Sequence, residues 1–221
     1  AAGMGRLPET VKAAQKAIDA TTAKGTKLDE ISERAGWSYA VAQHENLTGD
    51  LSNSGWTIMF LKSAKVVGLK VNPAAFDGAI RFLNACELQN PKDPKDPYSR
   101  HRYGYAPDAA NKPAYENARA QISFVGQLCR QFMGTPHDEL QAAVEWAVEL
   151  GGLPTNKMPH HFINLYHLYY GTLVTFQQGG DVWKKWNEAL KADLLPIQCA
   201  GGDNDGSWDP AGTYDTKWGR V

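Results

Sequence analysis

Apolar positions along the chain fall into two alternating patterns, both at helical spacing. In the first, apolar residues make a single stripe and polar residues fill the rest of each turn. Helices of this kind are predicted after Pro8, after Asn72-Pro73, after Thr135-Pro136 and after Asp181. The first runs through VKAAQKAIDATT and closes near Gly25. The second carries Phe76, Ile80 and Leu83; the third carries Leu140, Val144, Ala147 and Val148; the fourth carries Trp183, Trp186 and Leu190 and stops at Pro196. Asn72 suits an N-cap and Pro73 a first helical turn. Asp181 suits the cap of the fourth.

In the second pattern the stretch is apolar on more than one face. It covers 55–67, 118–133 and 162–178, closed by Gly68, Gly134 and Gly179. The first of these contains Trp56, Ile58, Met59, Phe60, Leu61, Val66 and Val67, and Ser54 is its expected N-cap, with Ser52 and Asp50 as alternatives. A one-striped helix belongs to an outer layer, and one that is apolar all round belongs to an inner layer contacted on several sides. The alternation is an internal repeat whose irregular spacing lies in its loops, with Gly5 in the equivalent place before the first helix. It predicts an all-α fold: one domain over 1–221, a two-layer α/α array of four outer and three inner helices. Residues 89–113 carry five prolines and read as a long loop.

Three stretches carry a family resemblance. GWSYAVAQHENLTGDLSNSGWTIMFLKSAKVVGL has a Gly-aromatic pair, then Gly-Asp and Ser, then Gly-Trp opening an inner helix. YGYAPDAANKPAYENARAQISFVGQLCRQFMG repeats that plan, and QCAGGDNDGSW is similar to the glutamine-tryptophan signature of terpene cyclases. The chain thus resembles the prenyltransferase and squalene-cyclase repeat family. The resemblance implies an α/α toroid, with Asp50, Gly55, Gln198, Gly206 and Trp208 in repeat-signature structural roles. A closed toroid of this kind has about twice as many helix pairs, so the chain is expected to be a partial array, completed by more sequence or by another chain.

The chemistry of such a fold is expected to be missing. The protonating cyclases use an Asp-x-Asp-Asp acid; the nearest match is Asp203-Asn204-Asp205-Gly206, ending in glycine within an open loop. A general acid needs a protonated carboxyl in a desolvated, fixed geometry, so Asp205 is read as the cap of a helix or turn. The same run lacks the following glutamate of a calcium loop. Zinc needs converging ligands, and the histidines His160, His161 and His167 have no cysteine close in sequence. No thioester run, nucleophile elbow or phosphate-binding glycine loop occurs. No metal, cofactor or catalytic residue is therefore expected.

The aromatics of the inner helices are the remaining candidates: Trp56 and Phe60 on one, Tyr166, Tyr169 and Tyr170 on another. Facing a cavity, such rings stabilise cations; packed between layers, which is commoner, they are core. Net charge is -1, from 23 Lys and Arg against 24 Asp and Glu, with no basic block to suggest nucleic acid. No run approaches the ~20 apolar residues of a membrane span. Cys86 and Cys129 are expected as buried free thiols. Asn46-Leu47-Thr48 is a glycosylation sequon, and an extracytoplasmic place is favoured if the chain is a processed mature form. The expected function is a non-catalytic module that binds a protein partner or copies of itself through the open end of its array. The alternative is part of an isoprenoid-binding, cyclase or prenyltransferase-like protein taking an apolar small molecule. A carbohydrate-active barrel ranks last, for want of paired carboxylates.

Overall fold

The computed structural model describes residues 12–20, 36–37, 49–93, 96, 99–107, 114–154 and 165–208. Gly5, the helix start at Pro8, its close near Gly25, the sequon at Asn46, and His160 and His161 lie outside the described residues. Seven α-helices stand among those described: α1 (12–20), α2 (Leu51–Val66), α3 (Pro73–Cys86), α4 (Ala120–Phe132), α5 (His137–Gly151), α6 (Leu165–Gln178) and α7 (Gly180–Leu194). There is no strand among them; Glu87 and Tyr103 form one isolated antiparallel bridge.

Local chemistry sets the helix ends. α2 begins at Leu51, four residues before the expected start, because Asp50 is its N-cap and accepts the Asn53 N–H at 2.9 Å. Ser54, expected in that role, lies inside the helix and takes the Trp37 N–H at 2.9 Å instead. Asn72 caps α3 through the Ala74 N–H at 3.1 Å, with Pro73 in the first turn. α7 is capped by Gly179 rather than Asp181, which lies in the first turn and pairs with Lys184 at 3.2 Å. Gly68 and Gly134, just past α2 and α4, take positive φ of 82° and 92°, a conformation costly for any residue with a Cβ.

Contacts define the layers. α4 packs on α2, α5 and α6; α3 packs on α2; α7 packs on α6; α5 also touches α6. Phe124 and His167, near the starts of α4 and α6, are in ring contact, while Gln131 and Gln178 meet at the far ends. α4 and α6 therefore run the same way. Ser52 with Tyr166 and Trp56 with Tyr170 give α2 that direction too. α5 runs opposite to α6: Gln178 donates to the His137 carbonyl at 2.7 Å, and His167 lies against Gly151. The result is a row of parallel helices, α2–α4–α6, each followed by a return helix packed on it.

The predicted alternation is present, but enclosure differs along the row. α4 is buried without a break from Ser123 to Cys129. α2 and α6 each leave one stripe in water, which corrects the expectation that all three would be surrounded. In α3 the buried line is Ala75, Ala79, Phe82 and Cys86, with Leu83 beside it; Phe76 and Ile80 are only half-buried. The main core joins these helices around Phe82, Phe124, Leu128, Leu140, Val144, Tyr170 and Trp186. A smaller cluster joins Ile18 of α1 to Leu61, Ala64 and Ala75.

Candidate functional site

The open stripes of α2 and α6 meet. Trp56 lies stacked on Tyr169, ring centroids 5.4 Å apart and planes 30° apart. One turn along α2 is Phe60, and seven residues along α6 from Tyr169 is Phe176, each on the same face as its predecessor by helical spacing. All four remain open to solvent: Trp56 49%, Phe60 42%, Tyr169 41% and Phe176 58%. Val66 and Val67 extend the exposed apolar surface at the end of α2. Phe176 is braced edge-on by Trp183 of α7 at 5.2 Å. α6 has no Asp, Glu, Lys or Arg in its fourteen residues. An ordinary helix with a solvent face has charges there.

The other two aromatics named from sequence stand behind this face. Tyr170 is fully buried, 6.0 Å from Trp56 and 5.1 Å from Tyr169, and belongs to the core. Its burial, then Tyr166, Cys129 and Tyr169 beside it, raise its pKa and hold it as a neutral phenol. Tyr166 is half-buried, and its hydroxyl meets the Ser52 hydroxyl at 2.7 Å. The five expected residues thus divide: Trp56, Phe60 and Tyr169 make the surface, while Tyr166 and Tyr170 support it. Phe176 was missed, although its spacing from Tyr169 carries the signal.

The residues to which the resemblance gives structural roles hold helix ends and close contacts. Asp50 caps α2, and a Cβ on Gly55 would collide with Val125 of α4. Gln198 donates to the Gly206 carbonyl at 2.7 Å, and the Trp208 indole N–H donates to the Leu194 carbonyl at 2.9 Å, so this loop folds onto the end of α7. Asp205 accepts the Gly201 N–H at 2.8 Å, holding a turn as a cap does. Asp203 is exposed in the same short loop. His167 is buried between Phe124 and Trp186, its Nε2 3.3 Å from the Gly152 carbonyl; burial first, against that hydrogen bond, lowers its pKa. Cys86 and Cys129 are buried, and burial pushes the Cys129 thiol up to about 12. Among the described residues no cluster of His, Cys, Asp and Glu is arranged to hold a metal, and no helix is long and apolar enough to cross a membrane.

A second constellation was not legible in sequence. Segment 99–107, inside the proline-rich loop, is pinned into a buried polar cluster. Leu88 N–H donates to the Arg102 carbonyl at 2.7 Å, and Gly104 N–H to that of Cys86 at 2.9 Å. Arg130 of α4 donates from Nε to the Tyr103 hydroxyl at 2.9 Å, and from its terminal nitrogen to Asn84 at 2.6 Å and Glu87 at 3.1 Å. Tyr103 lies flat on Gly126, where a Cβ would strike the ring. Arg102 is stacked over Trp146 of α5, 3.9 Å from the ring centroid, and over Tyr115 at 4.5 Å. The cluster brings together the end of α3 (Asn84, Glu87), Tyr103 and the Gly126–Arg130 turn of α4, three places well separated in sequence.

Comparison with protein-family models, with curated proteins and with solved structures yields no match.

Proposed function

We propose that this chain is a non-catalytic helical-repeat module that works by binding protein through the aromatic face of α2 and α6. The observation that carries this is the pairing of an uncharged α6 with half-open Trp56, Phe60, Tyr169 and Phe176. Protein interfaces are depleted in charge at their centres and enriched in aromatic residues, which supply most of the binding energy. Monomer surfaces rarely leave such a patch without a use. The parallel row with antiparallel returns also fits the toroid-type repeats that the Gly-Trp and glutamine-tryptophan stretches resemble, and a partial toroid of that family is part of this proposal. The residues nearest to a cyclase acid hold a turn, which supports a binding role over a catalytic one.

Site-specific photocrosslinking tests this. Benzoylphenylalanine placed at position 60 or 176, in the cells that make the protein, is expected to give adducts of protein mass. The same probe at exposed position 185 on α7 is expected to give far fewer. Lipid or other small-molecule adducts at 60 and 176 would replace this reading with the isoprenoid-binding one, and equal yields at all three positions would overturn it.

A further inference from the structure

We propose that His101 is a proton-operated clasp: neutral, it fastens segment 99–107 across α3, α4 and α5, and protonated, it releases that segment. His101 is buried to 1% exposure, and it is the one non-glycine among the described residues with positive φ, at 58°. That backbone conformation is uncommon for a residue with a side chain and persists only when the surroundings hold it. The holding contacts come from every neighbouring element. Glu87 at the end of α3 accepts the His101 N–H at 2.8 Å. Gln127 of α4 donates to the His101 carbonyl at 3.1 Å and to the Ala143 carbonyl of α5 at 3.0 Å.

The ring contacts fix which form fits. The Tyr103 hydroxyl oxygen accepts a hydrogen bond from Arg130 Nε and lies 3.3 Å from His101 Nδ1. In the clasp as proposed, the Tyr103 O–H donates to Nδ1 and the neutral ring carries its hydrogen on Nε2, the nitrogen that faces the Glu139 carboxylate. Nε2 lies 3.4 Å from a Glu139 oxygen of α5, without the alignment of a hydrogen bond. The charged groups around the ring are already paired: Glu87 with Arg130 at 3.1 Å, and Glu139 with Arg100 at 3.4 Å. Glu87 is also 3.7 Å from Nδ1. A proton added at Nδ1 breaks the hydrogen bond from Tyr103 and adds a buried charge with no anion of its own.

Burial, the largest influence, lowers the His101 pKa; Arg130 and Arg100 lower it further, against Glu87 and Glu139. The unfolded segment, near the ordinary value of 6.5, takes the proton first. The clasp is therefore complete above that value and is lost as pH falls through the lower folded one. The Leu51 N–H donates to the Tyr105 carbonyl at 2.8 Å, so release reaches the first turn of α2, below Trp56.

Hydrogen exchange on the full chain, corrected for intrinsic rates, tests this. Between about pH 7.5 and about pH 5 protection over 99–107 and at Leu51 is expected to fall roughly tenfold. His101→Asn tolerates the left-handed backbone and is expected to abolish the pH response. Glu139→Gln removes an anion that favours the charged ring and is expected to move the midpoint to lower pH, which keeps the test available if the asparagine variant does not fold. Unchanged wild-type protection, the same response in His101→Asn, or a midpoint that stays or rises in Glu139→Gln would overturn the proposal.

Discussion

Trp186→Ala is expected to lower the unfolding free energy by about 4 kcal/mol and the melting temperature by roughly 10 °C. Trp186 has no solvent exposure, and its ring joins three helices. It meets Phe124 of α4 edge-on at 5.8 Å and His167 of α6 at 5.5 Å, and its indole N–H donates to the Thr172 hydroxyl at 2.9 Å. Its outer edge occupies the space beside Gly171 where any Cβ would collide. Truncation leaves a cavity that rigid helices on three sides cannot fill. Trp186→Phe, which keeps most of the volume and loses the hydrogen bond, is expected to cost about 1–2 kcal/mol. Urea denaturation of the three proteins measures both. A loss under about 1 kcal/mol for the alanine variant would mean that α7 is not packed as described.

Arg130→Met is expected to cost about 3 kcal/mol, because it leaves a mostly buried Glu87 carboxylate with no cation beside it. Both side chains are largely out of solvent, at 12% and 16% exposure, which separates this pair from surface ion pairs of little worth. The same change strips a donor from the Tyr103 hydroxyl and from Asn84. The double variant Glu87→Gln, Arg130→Met removes both charges and keeps an amide oxygen for the His101 N–H. It is expected to be more stable than Arg130→Met alone. Simple addition of the two losses in a double-mutant cycle would contradict the pairing.

Much of the fold was open to reading from spacing alone. The one-striped runs after Asn72-Pro73, Pro136 and Asp181 became α3, α5 and α7; a proline fixes where the first two begin, and α7 begins one residue before Asp181, at Gly180. The fully apolar runs became α2, α4 and α6. The start of α2 was misplaced because three potential caps, Asp50, Ser52 and Ser54, stand almost together, and tertiary contacts chose among them: Ser54 was drawn away by Trp37. The exposed stripes were hidden for a different reason. Apolar residues that face a partner look the same in sequence as those that face a core, and only the packing shows Trp56 and Phe176 open while Tyr170 is closed. The cluster around His101 was invisible because it is built from long-range pairs. Glu87 and Arg130 are local oddities until the helices bring them together.

Trp56, Phe60, Tyr169 and Phe176 are open in the isolated chain, and the proposed function requires them to be covered in its working state. Hydroxyl-radical footprinting measures this directly, by comparing the purified protein with the protein labelled inside the cells that make it. These four side chains are expected to oxidise readily in the purified chain and to be strongly protected in the cell, while exposed residues of α5 and α7 label alike in both. Equal labelling of the four in both settings would contradict the claim.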